Sequence, residues 1–595
     1  MIMKLKNKYL LLLIVPALVL GACSTILEPE NENNSTFNRV YDDPAFAEGL
    51  LVNGYNKIPT IDFLNPTSSI MNEVATDNAV ANDKFNNFLR VGTGQWTSQF
   101  NPMSVWDNAN RGILYVNLFL PTIDTIKWSW NNTNLNRMFK DRLRGESYAL
   151  RGLLRYYMLQ NHAGKSASGK MLGVKLSDQF MKEDADFNVA RAGFNESVAA
   201  ILADFNLAMQ YLPMDFKDIT AATQLPVAYT GVNIADYNKV MGNVSNQRIT
   251  KRIVMGFKAR LALLVASPAF SAGDQALWAN AANAAAEVLV GNGGIAGLDP
   301  NGHKFYESAR VEAVTVAADQ KEMLWRGPSN STSSTIEKNN LPPGLYGNGL
   351  VNPSQNLVDA FPMANGYPIS DPLSKFNPAA PYAGRDPRLS AYIIYNGATY
   401  QGKVIKTGYG GGVNAKDSLP TSSRTGYYLK KLLREDVIFQ SNGSTTNKKH
   451  YAVHMRYTEV FLNYAEAANE AWGPAGMGSV AAFSAKDVIA DIRKRAGITQ
   501  PDAFLNGIST KEAMRDLIRN ERRLELCFEG FRFWDIRRWG LPLTTAAMGV
   551  NIDKAATSFN VVEVEPRVFM PYMNYGPIPE QEVLKFSALE QNAGW

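Results

Sequence analysis

Only two cysteines occur in the 595 residues, Cys23 and Cys527, so no disulfide framework can brace the fold. Histidine is nearly as scarce, with four copies. Two of them, His450 and His454 in "HYAVHMRY", have a spacing that would let a helix bind one metal ion. Here Tyr451, Val453 and Met455 alternate as in a strand, where four residues span about 13 Å and one ion cannot bridge them. HExxH, the GxSxG nucleophile elbow, the GxxxxGK[ST] phosphate loop and GxGxxG are all missing. "GYGGG", from Gly408 to Gly412, sits among turn residues and reads as a flexible turn. An excess of charge of one sign is also lacking, at 60 basic against 55 acidic residues. Such a balance argues against a nucleic-acid partner and a polybasic membrane patch. No metal, no cofactor and no catalytic residue is expected.

What is present begins with an address. Lys4, Lys6 and Lys8 precede an apolar run from Tyr9 to Leu20 that is too short to span a bilayer about 30 Å thick. Residues 1–22 are therefore expected to be a signal peptide, whose removal lowers the formal charge from +5 to +2. "LGAC" resembles a bacterial lipobox, which implies that Cys23 is lipidated and becomes the new N-terminus. With Cys23 so committed, Cys527 has no partner. Residues 23–42 are polar and acidic, and are expected to be a flexible tether.

Amphipathic stretches with 3.6-residue spacing follow. Asp141–Gln160 places Leu143, Tyr148, Leu150, Leu153, Leu154, Tyr157 and Met158 on one broad apolar face. Ile249–Ser267 and Gln275–Val290 form one candidate hairpin, Met455–Gly473 and Ala485–Gly497 another. Between about Gly291 and Tyr451 the texture turns to Gly, Pro, Asn, Ser and Thr with short β-type runs, and a long loop-rich segment of this kind is usually functional. The predicted fold is mainly α, a tetratricopeptide-like helical-hairpin scaffold with a loop-rich, irregular lobe carrying short β segments. Residues 43–300 form its N-terminal helical region and 301–595 its C-terminal region with the ligand-facing segment.

"RNERRLELCFEGFRFWDIRRWG", from Arg519 to Gly540, offers Glu521, Glu525, Glu529 and Asp535 as candidate acids. Arg522 and Arg523 beside them hold carboxylates ionised, whereas a glycosidase pair needs one acid with a raised pKa. A structural ion network is the expected role. A single helix is predicted up to Gly530, with Met514, Leu517, Ile518, Leu524, Cys527 and Phe528 on its apolar face, so Cys527 serves packing.

The remaining surplus is aromatic: 10 Trp, 25 Tyr and 28 Phe, with many Asn. Sugars stack their C–H faces on flat rings while amides bond the hydroxyls, and such a site needs no titrating group. Trp278, Trp472, Trp534 and Trp539 are expected to pack. Trp96, Trp128, Trp130 and Tyr346 lie in polar or Gly-rich loops and are candidate stacking residues. Trp325, at the end of "QKEMLW", is either an inward-facing strand residue or the start of a ligand loop, and joins the candidates.

Several stretches together resemble the SusD/RagB family of outer-membrane lipoproteins. They are "LGAC", "GESYALRGLLRYYML", "LVDAFPMANGYPISDP" with "GRDPRL", "MRYTEVFLNYAEAANEA", the Arg519–Gly540 segment, and "PIPEQEVLKFSALEQNAGW" at the C-terminus. Ser147, Gly152, Cys527 and Phe531 depart from the family's pattern. The resemblance implies a non-catalytic, surface-exposed lipoprotein that captures a glycan and acts as the lid of a SusC-like TonB-dependent barrel transporter for nutrient uptake. Peptide capture in the same lid role is the alternative, and a glycoside hydrolase the remote one. Because ligand contacts vary between members, it assigns no binding residue.

Overall fold

The computed structural model describes residues 43–59, 72–182, 186–271, 273–315, 318–328 and 332–595. The leader, Cys23 and the tether lie outside them. Helix α1 (Pro44–Tyr55) starts on Asp43, whose carboxylate accepts from the amides of Ala45 and Phe46. α2 (Trp106–Phe119) is followed by α3 (Thr133–His162), the longest described helix, which starts on the Asn132 side chain and ends where Ala163 turns extended. α4 (Phe194–Tyr211) returns along α3. α5 (Lys251–Ala266) and α6 (Gln275–Val290) form the first predicted hairpin. α7 (Tyr457–Trp472) packs on both α6 and α8 (Ala485–Ala496), and α9 (Lys511–Glu525) and α10 (Phe531–Arg538) complete the helical layer. The protein is mainly helical. Among the described residues no helix is long and apolar enough to cross a membrane.

α3 departs from the one-faced helix expected of it. Leu143, Leu150, Leu153, Leu154 and Met158 are buried, but so are Arg151 and Arg155. Both guanidiniums grip Asp204 of α4 at 2.7 Å, which satisfies charges that burial would otherwise penalise. Gly152 explains its own departure from the family's pattern: a Cβ there would lie 2.7 Å from the Phe205 ring. Gly152→Ala is expected to cost about 1–3 kcal/mol through overpacking of α3 on α4, read from the urea midpoint.

The strands are short, and six of them frame the irregular lobe and its contact with the helices: β1 (Ala79–Ala81), β2 (Met323–Arg326), β3 (Val351–Pro353), β4 (Val453–Arg456), β5 (Ala547–Ile552) and β6 (Phe559–Glu565). They pair antiparallel as β1 with β3, β2 with β4 and β5 with β6. The apolar interior divides into a helical core, an irregular core and a small third cluster of Ala75, Val91, Trp96, Met103, Phe533, Trp534 and Met573. The first draws on both ends of the chain, from Ala47–Leu289 and from Trp325, Met455–Leu526, Ile578 and Leu589. The second is built from Val74–Leu89, Phe305–Tyr451 and Leu524–Ile552.

α9 runs between these cores and carries the acid cluster. It stops at Glu525, earlier than the predicted single helix, because Phe528 (φ 62°) and Gly530 (φ 80°) turn the chain left-handed before α10 begins. Met514, Leu517, Ile518, Leu524, Cys527 and Phe528 are nevertheless all buried. Arg388 reaches Glu521 at 2.8 Å and Glu525 at 3.1 Å, and Arg493 takes the other Glu521 oxygen at 2.8 Å. Arg495 bonds Glu525 at 3.0 Å, Arg456 bonds Glu529 at 2.7 Å and Arg522 bonds Asp535 at 2.6 Å. Burial alone would push the Glu525 carboxyl up. Arg495, Arg388 and Arg456 outweigh it and hold the group well below the usual carboxylate range.

Candidate functional site

The five candidate rings separate by exposure. Trp96 is 2 % exposed; its Nε1 donates to Asn101 at 2.9 Å, and its ring meets Phe533 and Trp595 edge-on. Trp325 is an inward strand residue, 4 % exposed, donating to the Gln247 carbonyl at 2.9 Å. Trp128 packs partly buried between Phe119 and Phe139 and donates to the Ile123 carbonyl at 3.0 Å. These three rings already have protein on their faces or edges, which corrects their assignment to ligand. Trp130, at 75 %, and Tyr346, at 42 %, remain open to solvent. The packing assignments hold for Trp278, Trp534 and Trp539, which are buried, and for Trp472, which is partly buried against the core.

Tyr346 lies on one of three loops of the irregular lobe that are hydrogen-bonded to one another. The Pro343–Leu345 turn leaves Tyr346 left-handed (φ 63°), an uncommon state for a bulky residue. Lys338 Nζ donates to the Tyr346 carbonyl at 2.6 Å and fixes that turn. The second loop docks through Asn414, whose Oδ1 accepts from the Gly344 amide at 2.7 Å. It carries Tyr409, 79 % exposed, whose amide donates to the Ile552 carbonyl at the end of β5 at 2.9 Å. The third loop follows β1: Asn82 donates its amide to Leu350 at 3.0 Å and its side chain to the Asn348 carbonyl at 2.7 Å, and Phe85 stands three residues on, 86 % exposed. Three exposed rings are thus carried by loops that are hydrogen-bonded to one another. Exposed rings with amides on the same loops are a chemistry that can stack on and bond a ligand without any ionisable group.

Phe85 and Tyr409 escaped the sequence reading. Tyr409 had a signal, since it interrupts the glycine run of "GYGGG", where a large ring has nothing to pack on. Phe85 in "NDKFNN" had the same one, a lone ring among polar residues.

Acid chemistry has no comparable site among the described residues. A cavity of about 90 Å³ beside the acid cluster is lined by Glu459, Glu529 and Asp535. Each is paired, with Arg260, Arg456 and Arg522 respectively, at 2.5–2.7 Å. Cys527 is buried and its thiol is pushed up to about 12 by burial, so it holds no thiolate at neutral pH. His450 bonds Glu337 at 2.9 Å while His454 lies against Trp325, so the two histidines serve different neighbours. No group of three metal-ligating side chains occurs among the described residues.

A family model described as "SusD family" matches residues 316–595, and a second, described as "Starch-binding associating with outer membrane", matches residues 28–230. The chain belongs to the SusD family. A SusD-like protein, P25, of Formosa agariphila is 30% identical over 144 residues, a match that spans 24% of this chain and 25% of the relative's length. A SusD-like protein of Bacteroides fragilis has a solved structure that superposes with a TM-score of 0.70 at 22% identity, covering 94% of this chain and 99% of that one. A laminarin-binding SusD-like protein superposes with a TM-score of 0.56 at 18% identity, covering 93% and 100%. At these identities the solved structures establish the SusD fold. The description of the second family model associates such chains with the outer membrane.

Proposed function

We propose that this SusD-family chain is a non-catalytic, lipid-anchored glycan-capture protein, and that the platform of Phe85, Tyr346 and Tyr409 holds the glycan. The observation that carries the reading is the trio of exposed rings on loops tied together by the amide side chains of Asn82 and Asn414. A description as starch-binding for one matching family model and laminarin binding by a structural neighbour support glycan as the cargo class. Trp130 stands as a further stacking candidate on the loop before α3. Cys23 is the proposed anchor, and a SusC-like TonB-dependent barrel the proposed partner, over which the protein closes as a lid during uptake.

The test is calorimetric titration of the chain from Ser24 onward with a panel of soluble polysaccharides and a peptide digest. Heat from a glycan with no product released is the expected outcome. Tyr346→Ala and Tyr409→Ala, each made singly, are expected to weaken binding about two- to tenfold without lowering the thermal midpoint. Heat from the peptides alone overturns glycan capture, and unchanged affinity in both variants overturns the platform.

A further inference from the structure

We infer that the captured glycan is anionic, bearing carboxylate or sulfate groups. The inference rests on the capture function proposed above and names its ligand class. Both exposed rings singled out in the sequence carry an ammonium beside the ring face. Lys403 Nζ lies 5.6 Å from the Tyr346 centroid, and Lys127 Nζ lies 4.6 Å from the Trp130 centroid. Exposed Lys338 is tied to the Tyr346 carbonyl, and Lys554 lies against Gly410, next to Tyr409, with its Cγ 3.4 Å from where a Cβ would stand.

None of these four lysines has a carboxylate within 4.0 Å among the described residues. Acids of these segments accept from other groups, among them exposed Glu435, which takes the Gln401 amide at 3.3 Å two residues from Lys403. Asp83 accepts from the Phe85 amide at 2.9 Å, Asp417 pairs with Lys416 at 2.5 Å, and Asp553 accepts from the amides of Thr557 and Ser558 at 2.7 Å. Tyr346 and Trp130 are therefore accompanied by lysines that make no ion pair among the described residues. A neutral sugar stacking on Tyr346 or Trp130 must displace the ammonium or take the other face. An anionic sugar keeps that ammonium as its charge partner while it lies on the ring.

The chain from Ser24 onward is titrated with polygalacturonate and alginate as carboxylate probes, dextran sulfate and carrageenan as sulfate probes, and laminarin and dextran as neutral ones. An anionic probe is expected to bind at least about tenfold tighter than either neutral one at low salt. That preference should fade at high salt, as the screening length falls from about 10 Å at 0.1 M to about 3 Å at 1 M. Lys403→Gln and Lys338→Gln are each expected to weaken the anionic ligand about two- to fivefold. Lys494→Gln, an exposed lysine on α8, which packs on α7 and α9, is expected to change nothing, which separates a local site from general attraction to a polyanion. The arm that gives heat distinguishes carboxylate from sulfate. Laminarin or dextran binding as tightly as the anionic probes, or no effect of the two platform lysines, overturns the inference and leaves glycan capture standing. Silence from every glycan overturns both.

Discussion

Arg388→Met is expected to lower the stability of the protein by about 3–5 kcal/mol, read as a fall in the urea midpoint with an unchanged slope. Arg388 is fully buried and bonds three carboxylates: Asp386 at 2.6 Å, Glu521 at 2.8 Å and Glu525 at 3.1 Å. Methionine matches its length and removes its charge. Glu521 keeps Arg493 and Glu525 keeps Arg495, but Asp386 loses its only ion-pair partner among the described residues. The loss therefore comes from carboxylates stranded in a low-dielectric interior, and it depends on pH. Glu525 is held below its unfolded pKa in the native protein, so it contributes stability above that value and loses it as the medium is acidified. Weakening the cation reduces this contribution, and the deficit of the variant narrows below about pH 4, where unfolded carboxylates are protonated as well. A deficit of the same size at pH 7 and pH 3.5 points instead to lost packing. Glu521→Gln tests the same network from the anionic side and is expected to change stability without changing any product release.

That network was legible in the sequence because its logic is local. Arginines alternating with glutamates on an apolar helix face leave the acids ionised and spent. The helices were legible for a similar reason, since Asp274, Ser484 and Thr510 cap starts that the periodicity had already marked, although α3 begins at Thr133, eight residues before the marked Asp141. The direction of a loop ring was not. Trp96 sits in the polar stretch "VGTGQWTSQFNP", yet its neighbours are Phe533, Arg537 and Trp595, more than four hundred residues away. Only the closed fold brings the C-terminus over it. Trp325 is covered by Phe257 and His454 in the same long-range manner. Tyr346 was legible because "PPGLYGNG" enforces a turn that throws its side chain outward, and Tyr409 is carried by a loop of comparable character. The left-handed break at Phe528 had no such marker, because an aromatic residue is disfavoured there and tertiary packing alone holds it.

Glu73→Gln is expected to abolish a loss of stability that the native protein suffers between about pH 4.5 and pH 7. Glu73 is fully buried beside Phe528 and accepts from the Asn78 side chain at 2.5 Å, while its Oε2 makes no hydrogen bond of normal geometry among the described residues. Burial pushes its carboxyl up to about 7, against an opposing pull from Asn78, the backbone of Phe528, Arg532 and Lys431. The folded chain therefore holds a proton that the unfolded chain has released, and stability falls as pH rises through the interval, by about 3 kcal/mol in all. Buried histidines act in the opposite sense over an overlapping range. Burial lowers His162, His303 and His454 to about 4, so the unfolded chain binds their protons more readily and stability grows as pH rises toward 6.5. The raw pH profile mixes the two, and the difference between the native protein and the variant isolates Glu73. Urea unfolding at pH 5, 6, 7 and 8 should show the variant gaining on the native protein until about pH 7 and holding a constant advantage beyond it. A difference that stays flat from pH 5 to pH 8 means that the Glu73 carboxyl ionises at its ordinary value and that its Oε2 is solvated.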